Sequence, residues 1–248
     1  MTAPRRVVAI TGAGGALGAA VAHRLASEPA TDLLLSDVSA PSLEKTVAGL
    51  PPTDGSVATT LADVSEFAEV EAVVAQAVDR FGRLDVLISN AGVLSSNGRI
   101  HNLATEEWER AFRINVLGAV NGIRAAVAVM RPQKSGSIVL TASVAGLTAW
   151  SHSAPYCATK AAVIQLAKVA AVEYARDGIR VNCVCPGTFL SAIHEDLPPD
   201  ALDAIAVRHP LGIGSATDVA GAYSYLASDA SRWTTGSAIV VDGGYAAP

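Results

Sequence analysis

The sequence predicts an α/β protein of one domain, in which a doubly wound parallel sheet carries helices on both faces. Short apolar segments alternate with helical stretches along the chain, which is typical of a mostly parallel sheet. The first strand is followed at once by a glycine-rich turn and a helix, as in sheets that bind phosphates. The 248 residues, half of them apolar, are enough for one large core.

The first strand and helix are suited to binding a phosphate group. Gly12, Gly14 and Gly15 lie between the strand and the helix. Glycines let the backbone approach a pyrophosphate closely, and the helix N-terminus supplies free N–H groups and a favourable dipole. On this stretch alone, a tight turn without a ligand remains the alternative.

The second strand ends in an acidic residue. Asp37 follows the glycine turn at the distance at which a carboxylate accepts hydrogen bonds from the ribose hydroxyls of an adenine dinucleotide. A carboxylate there repels the 2′-phosphate of NADP, and the neighbouring Ser36 and Val38 bring no cation. The sequence therefore predicts NAD as the cofactor, in preference to NADP.

Strands and helices continue to alternate after Asp37, as judged from the spacing of apolar residues. Ligands of parallel sheets bind beyond the carboxyl ends of the strands, so the residues that follow strands are candidates for a site. The predicted strands are 5–10, 32–37, 56–61, 84–88, 136–142, 179–184 and 238–241, and the predicted helices include 66–81, 105–130, 153–175 and 217–228. The candidates at strand ends include Asp63, Val64, Asn90, Ala91, Gly92, Ser143, Pro186 and Gly187.

The start of the helix at 153–175 carries a chemically suggestive pair. Tyr156 and Lys160 are four residues apart and therefore share one face of the helix. A nearby ammonium lowers the pKa of a phenol, so we expect Lys160 to make Tyr156 a usable proton acceptor. Ser143 ends the preceding strand and can hold an oxygen near the phenol. An ordinary pair on a helix surface remains the alternative for this motif alone.

The regular alternation stops after Gly187. Prolines and glycines are frequent at 188–213, where only a short helix at 200–207 is predicted. A long irregular insertion in a compact domain is usually a lid or a binding loop. We therefore expect a substrate lid around residues 188–213, within a single domain that spans residues 1–248.

Several of these segments occur together, in the same order, in a known family of proteins. They are Thr11-Gly12 through Gly18, Asp63-Val64, Asn90-Ala91-Gly92, Asn115, Ser143, Tyr156-x-x-x-Lys160, Pro186-Gly187 and Asp242-Gly243. With this set, the chain resembles the short-chain dehydrogenase/reductase (SDR) family over essentially its whole length. The resemblance implies a Rossmann-type sheet of seven strands.

The resemblance also implies roles for individual residues. Tyr156 would be the catalytic acid/base, and Ser143 would hold the substrate oxygen. Lys160 would bind the nicotinamide ribose and lower the pKa of Tyr156. Asn115, which from local sequence alone is only a tolerated polar residue of a helix, would support a proton-relay water. The implied cofactor contacts are Gly12, Gly14, Gly15, Ala16, Leu17, Asp37, Asp63, Val64, Asn90, Ala91, Gly92, Tyr156, Lys160, Pro186, Gly187, Phe189 and Ser191.

Two positions depart from the family pattern. Ala16 replaces the central glycine of the turn and adds a methyl group on the cofactor side, which binding should tolerate. Ser89 replaces the first asparagine of the Asn-Asn-Ala-Gly motif, so any hydrogen bond of that side chain across the sheet is in doubt. Ser191 keeps a hydroxyl where the family has threonine, and we expect contacts from Ser191 and Phe189 near the nicotinamide carboxamide.

We expect an NAD-dependent oxidoreductase that transfers a hydride between a secondary alcohol, or the corresponding ketone, and the nicotinamide. A non-catalytic NAD sensor or scaffold is one alternative, although such a protein would not need the phenol of Tyr156. Isomerase, epimerase or dehydratase chemistry on the same fold is another alternative, which only product analysis separates from a dehydrogenase.

The sequence does not specify the substrate. A mostly apolar pocket would suit a cyclic, aromatic or terpenoid alcohol better than a free sugar. His152 and His194 are also typical of solvated loop residues. The candidates for the substrate pocket are Ser143, Trp150, His152, Tyr156, Phe189, Ile193 and His194.

Composition limits the other partners and the location. A net charge of −5 indicates no nucleic-acid surface. Asn121 and Arg124 interrupt the most apolar stretch, so we expect no membrane span, and no signal peptide is visible. Three cysteines without metal-type spacing favour reduced thiols in a cytoplasmic protein and no bound metal.

We also expect a homotetramer, or at least a dimer. The helices at 105–130 and 153–175 contain more alanine and valine than one buried face requires, and residues 245–248 are largely apolar. Apolar surface of this extent is usually covered by a partner. The family resemblance leads to the same expectation.

Overall fold

Seven parallel strands form the central sheet of this computed structural model, which describes residues 5–191 and 199–247. The predicted strand number and the α/β fold class are confirmed. The strands of this sheet are β1 (Arg6–Thr11), β2 (Thr31–Asp37), β3 (Val57–Leu61), β4 (Val86–Ser89), β5 (Gly136–Thr141), β6 (Ile179–Pro186) and β9 (Ala238–Val241). The helices are α1 (Ala16–Ala26), α2 (Ala40–Ala48), α3 (Phe67–Phe81), α4 (Thr105–Phe112), α5 (Gly118–Gln133), α6 (Ala154–Tyr174), α7 (Pro199–Ala206) and α8 (Ala216–Leu226).

The strand order is β3-β2-β1-β4-β5-β6-β9. The chain adds strands on one side of β1 as far as β3, then crosses back and adds β4, β5, β6 and β9 on the other side. The strand order therefore reverses between β1 and β4. Helices α3, α5 and α6 cover one face, and α1, α2 and α8 cover the other. Because both faces are covered, the strands are apolar almost throughout, as Leu33, Leu34 and Leu35 of β2 show by their complete burial. The crevice at the reversal point is where such sheets bind ligands.

Local capping explains where several elements begin. Ser39 accepts a hydrogen bond from the backbone N–H of Ser42 at the start of α2. Ser215 and Asp218 form a reciprocal capping box at the start of α8, which begins one residue before the predicted start at 217. The observed ends of the elements differ from the predicted ones by a few residues.

The helix predicted at 105–130 is continuous but not regular. α4 and α5 are joined by a π-helical turn at Arg113–Leu117, which contains Asn115. Such turns accommodate an extra residue in a helix and are frequent at functional sites. The apolar spacing that predicted the helix gave no sign of this turn.

The segment Thr105–Gln133 weakens the reason given for expecting no membrane span. Its length of 29 residues and its apolar composition alone would allow it to cross a membrane, despite Asn121 and Arg124. In the structure it packs as a core helix, because 50% of its most apolar window is buried in the protein. Asn121 contributes to this packing, since its side-chain amide donates to the backbone carbonyl of Val64 at 2.9 Å.

The two ends of the region around 188–213 are hydrogen-bonded to each other. A short parallel pair joins β7 (Phe189–Leu190) to β8 (Gly214–Ser215), and α7 lies between them in the chain. The predicted short helix at 200–207 is therefore present, shifted by one residue. The role of this region as a substrate lid stays a prediction.

Candidate active site

A cavity of about 1130 Å³ lies at the carboxyl ends of the strands, around the crevice between β1 and β4. It brings together residues from the glycine turn after β1, from the ends of five further strands and from α6. The predicted site residues that line it are Gly12, Gly14, Gly15, Ala16, Leu17, Asp37, Asp63, Val64, Asn90, Ala91, Gly92, Ser143, Trp150, Tyr156, Lys160, Pro186, Gly187, Phe189 and Ser191. Residues far apart in sequence thus converge where the parallel topology predicts a ligand.

The glycine turn is packed so closely that side chains would not fit. Gly12 has a positive φ of 65°, and a Cβ there would lie 2.6 Å from the Cα of Ala91. A Cβ on Gly18 would overlap the backbone carbonyl oxygen of Gly12. By contrast, Gly15 and Ala16 are exposed on the cavity side, so the methyl group of Ala16 is accommodated without a clash.

Asn90 connects the glycine turn to the middle of the sheet. Its side-chain amide donates to the carbonyl of Gly12 at 3.0 Å, and its side-chain oxygen accepts from the hydroxyl of Thr141 at 3.2 Å. Its backbone N–H donates to the hydroxyl of Thr11 at 3.1 Å. Asn90 therefore fixes the turn relative to β5, the strand that precedes Ser143.

Asp37 holds the other side of the turn. One carboxylate oxygen accepts from the backbone N–H of Gly14 at 2.9 Å, and the other accepts from Ser39 N–H at 3.1 Å. Val38 beside it is 68% exposed, and the cavity lining among the described residues has no cation next to this carboxylate. The glycine cradle and this carboxylate fit an adenine dinucleotide, with phosphates at the turn and a ribose at Asp37.

Ser143 and Tyr156 form the polar centre of the cavity. Ser143 is buried, and its hydroxyl oxygen accepts from the backbone N–H of Ala145 at 3.1 Å. This bond orients the hydroxyl, whose own proton can be donated to an oxygen in the cavity. The ring of Trp150 stacks on that of Tyr156 with centroids 6.0 Å apart, which positions the phenol against the serine.

Lys160 is held one helical turn from Tyr156. Its ammonium donates to the carbonyl of Thr141 at 2.8 Å and lies 5.6 Å from the centroid of the Tyr156 ring. Burial lowers the pKa of Lys160 to about 8, because the charged form loses its hydration. The lysine is therefore cationic at neutral pH but begins to lose its charge in mildly alkaline solution.

The expectation that Lys160 depresses the pKa of Tyr156 is wrong for the chain without a cofactor. Burial raises the pKa of Tyr156 above its ordinary value of 10, and a hydrogen bond with Ser143 only partly opposes this. The cost of burying a phenolate thus outweighs the stabilisation that the Ser143 hydroxyl provides. The phenol therefore keeps its proton at neutral pH.

Asn115 lies beneath the cavity rather than in its lining. Its side-chain oxygen accepts from the N–H of Val93 at 2.8 Å, and its amide donates to the carbonyl of Val93 and to the hydroxyl of Thr159. A Cβ on Gly92 would lie 3.1 Å from the Asn115 oxygen and 3.3 Å from the Lys160 nitrogen. Asn115 thus fixes the backbone beside the lysine, while the water-holding role stays a prediction.

The substrate candidates fall into three groups. Trp150 and Phe189 line the cavity together with Tyr156. His152 is exposed, has a positive φ of 67° and bonds through its ring to the hydroxyl of Ser151, so the structure does not bring it to the cavity. Ile193 and His194 lie outside the described residues.

Several lining residues were missed by the sequence reasoning. They include Leu94, Arg110, Ile114, Thr141, Ile205, Arg208 and Tyr245. Tyr245 lies 6.2 Å from Trp150 between ring centroids, so the C-terminal segment contributes to the wall. The sequence around Tyr245 contains no other aromatic residue and no basic residue from 234 to 248, so no local pattern indicated that this side chain faces a cavity.

Comparison with known proteins agrees with this geometry. A family model described as enoyl-(acyl carrier protein) reductase matches residues 12–246. Levodione reductase of Leifsonia aquatica is 37% identical over 98% of this chain and 94% of its own length. Cis-4-hydroxycyclohexanecarboxylate dehydrogenase of Sinomonas cyclohexanicum is 35% identical over 98% of this chain and 97% of its own.

Solved structures are similar over the same extent. The crystal structure of levodione reductase superimposes with a TM-score of 0.92, at 35% identity over 98% of each chain. That of NAD+-bound xylitol dehydrogenase superimposes with a TM-score of 0.91, at 29% identity over 98% of this chain and all of the other. Both the sheet and the site region are therefore shared with these proteins.

Proposed function

Because this chain belongs to the short-chain dehydrogenase/reductase family, we propose that it oxidises a secondary alcohol to a ketone, or performs the reverse reaction, with NAD. Its relatives are named as dehydrogenases and reductases, and an oxidoreductase is the class they share. The single observation that carries the proposal is the convergence of Ser143, Tyr156 and Lys160 in a cavity with a glycine cradle.

Each of the three side chains has a distinct task in the proposed reaction. Ser143 donates its hydroxyl proton to the substrate oxygen, while its own oxygen accepts from the N–H of Ala145. Tyr156 takes the hydroxyl proton during oxidation and returns it during reduction. Lys160 supplies positive charge behind the phenol and is fixed by the Thr141 carbonyl. A nicotinamide cofactor would supply the hydride acceptor or donor.

The preference for NAD rests on Asp37. Its carboxylate lies between the N–H groups of Gly14 and Ser39, where it can accept from ribose hydroxyls but would repel a 2′-phosphate. One structural neighbour is described as NAD+-bound, which supports the same proposal. Asp63 and Val64 would flank the adenine, and Pro186, Gly187 and Phe189 would contact the nicotinamide side.

We expect NAD to be preferred over NADP by at least about tenfold in kcat/KM, equivalent to about 1.4 kcal/mol. Asp37→Asn keeps a side-chain acceptor but removes the charge, so it should lose most of this discrimination. Adding Val38→Arg, at an exposed position, should favour NADP further. Steady-state kinetics with both cofactors measure the effect, and equal kcat/KM values for NAD and NADP in the unaltered protein would contradict it.

The proposed activity is tested directly by oxidation of a panel of cyclic, aromatic and terpenoid secondary alcohols with NAD. We expect NADH to form in a fixed ratio to the ketone for at least one alcohol. Absorbance at the NADH band and product analysis by mass spectrometry measure the two quantities. A product with unchanged oxidation state would instead indicate isomerase, epimerase or dehydratase chemistry, and NAD binding without any turnover would indicate a sensor.

We also propose that the protein is a homotetramer in the cytoplasm. Val172 of α6 is 82% exposed, and Leu117 beside α5 is 51% exposed, so both helices present apolar side chains outward. The three cysteines are free thiols, which suits a reducing compartment. A small alcohol or ketone is the proposed substrate partner.

Light scattering should return about four times the chain mass of 25.3 kDa at micromolar concentration. The double substitution Leu117→Glu with Val172→Glu should lower that mass, because it places charges on the faces proposed to be covered. Leu61→Glu, at an exposed position of β3 on the far edge of the sheet, is the matched control. A mass of one chain for the unaltered protein would refute the proposal.

A further inference from the structure

We propose that Arg208 binds a carboxylate group of the substrate, so that the enzyme acts on alcohols or ketones that also carry an acid. The inference rests on the proposed function, because it names the substrate class of the same cavity. It begins from the charges that line the cavity. Among the described residues these are Asp37, Asp63, Arg110, Lys160 and Arg208.

The two carboxylates and the three cations occupy different ends of the cavity. Asp37 follows β2 and Asp63 follows β3, on the side of the glycine turn where the dinucleotide is proposed. The charged lining residues that the structure describes on the side of Tyr156 are all cations. Lys160 is buried and bonded to Thr141, and Arg110 projects from the exposed face of α4. In a chain of net charge −5, this local excess of positive charge favours an anionic substrate.

Arg208 is the cation best placed to make that contact. Its guanidinium carbon lies 4.8 Å from the centroid of the Tyr245 ring. Tyr245 lies 6.2 Å from Trp150, and Trp150 lies 6.0 Å from Tyr156. A continuous row of rings therefore connects the guanidinium with the reacting phenol, and it forms an apolar wall suited to the carbon skeleton of a substrate.

The backbone around Arg208 is fixed by its neighbour His209. This histidine is 3% exposed, and its Nε2 accepts from the N–H of Thr188 at 3.1 Å. Its Nδ1 therefore carries the proton and donates to the carbonyl of Ile205 at 2.9 Å. The imidazole thus ties the end of α7 to the segment after β6, which keeps Arg208 at the cavity.

Tyr245 is fixed in a similar way. The carboxylate of Asp242 accepts from the backbone N–H groups of Gly244 at 2.9 Å and Ala246 at 2.8 Å, on either side of the tyrosine. The ring of His209 packs 4.8 Å from that of Tyr245, between centroids. Both partners of the Arg208–Tyr245 contact are thus held before a substrate arrives, which lowers the entropy cost of binding.

Among the described residues, no carboxylate competes for the guanidinium of Arg208. In the part of the chain that the structure describes, the ion pairs involve other residues, and no carboxylate pairs with Arg208. A guanidinium presents a planar fork of N–H groups that matches a carboxylate with two parallel hydrogen bonds. Arg208 therefore has both the charge and the free donors that an acid group requires.

The test uses two ligands that cannot be oxidised, cyclohexanecarboxylate and cyclohexanecarboxamide, titrated by calorimetry into the protein with saturating NAD. We expect the carboxylate to bind at least about tenfold more tightly than the amide. Arg208→Gln should reduce that ratio to near one, and Arg208→Lys should retain part of it because it keeps the charge but loses the fork. Arg24→Gln, on α1 away from the cavity, is the control and should keep the full ratio.

Several outcomes would overturn the proposal. These are a ratio near one in the unaltered protein, an unchanged ratio in Arg208→Gln, or loss of the ratio in Arg110→Gln alone. A fall in NAD affinity that matches the fall in carboxylate affinity would assign Arg208 to the cofactor instead. A lack of turnover with secondary alcohols would contradict the proposed function. The ratio of carboxylate to amide affinity could still be measured, because neither ligand reacts.

Discussion

Tyr156→Phe should lower turnover by roughly 10²–10⁴-fold while NAD still binds. The substitution removes one hydroxyl, the proposed proton acceptor, and leaves the ring that packs against Trp150. The stack and the fold should therefore survive, so the loss would belong to the chemical step. Stopped-flow or steady-state oxidation rates, together with NAD affinity by calorimetry, measure the two effects separately.

The pH profile provides a second measure of the same prediction. Burial raises the pKa of Tyr156 above 10 in the chain alone, so the phenol is protonated at neutral pH and must lose its proton to act as a base. Oxidation rates should therefore rise with pH, and ketone reduction should fall over the same range. At saturating NAD, the positive nicotinamide ring adds a cation to the site, so the rise should have a lower apparent pKa than the phenol has in the chain alone.

The control for this prediction is Tyr225→Phe. Tyr225 is a partly exposed tyrosine outside the cavity lining, and its hydroxyl bonds only to Thr234 at 2.9 Å. Tyr225→Phe should leave both the oxidation rate and its pH profile unchanged. If Tyr156→Phe kept a near-normal oxidation rate, the proton acceptor would lie elsewhere and its assignment to Tyr156 would have to be withdrawn.

Gly18→Ala should destabilise the protein and disable cofactor binding together. A Cβ at this position would overlap the carbonyl oxygen of Gly12 and lie 2.8 Å from the Cα of Ala13 and 2.9 Å from the amide nitrogen of Asn90. Two of these neighbours are backbone atoms, so the turn itself must move. We expect a loss of about 1–3 kcal/mol in the free energy of unfolding. NAD affinity should fall by at least about tenfold, because the displaced turn no longer presents its N–H groups.

Gly15→Ala is the matched control in the same turn. A Cβ there would lie 3.5 Å from the carbonyl oxygen of Gly12, which is an ordinary contact. The melting temperature should therefore be lower for Gly18→Ala than for Gly15→Ala, although the two positions are only three residues apart. Equal melting temperatures for Gly18→Ala and the unaltered protein would show that the turn has room that the structure does not indicate.

The sequence was sufficient for the sheet and for the cofactor half of the cavity. Strand apolarity predicts all seven central strands, because strands buried on both faces contain few polar residues. Parallel topology then requires the residues after β1, β2, β4 and β6 to meet at one edge. For this reason Gly12, Asp37, Asn90 and Gly187 could be assigned to one cavity without coordinates.

The substrate half could not be predicted in the same way. Arg208 and Tyr245 reach the cavity through loops whose path depends on individual bonds, such as those of His209 to Thr188 and Ile205. No periodic pattern encodes such bonds. For the same reason His152, chosen for its position in a loop near Tyr156, is turned outward. The expected lowering of the Tyr156 pKa was wrong because burial, which sequence distance does not reveal, raises that pKa.

The π-helical turn at Arg113–Leu117 has a further consequence for the long helix. Each residue of an α-helix advances the side-chain direction by about 100°, so one extra residue changes the angular phase between the two flanking parts by about that amount. α4 can therefore aim one side at the cavity mouth, through Arg110, while α5 aims a different side at the core, through Ile123 and Met130.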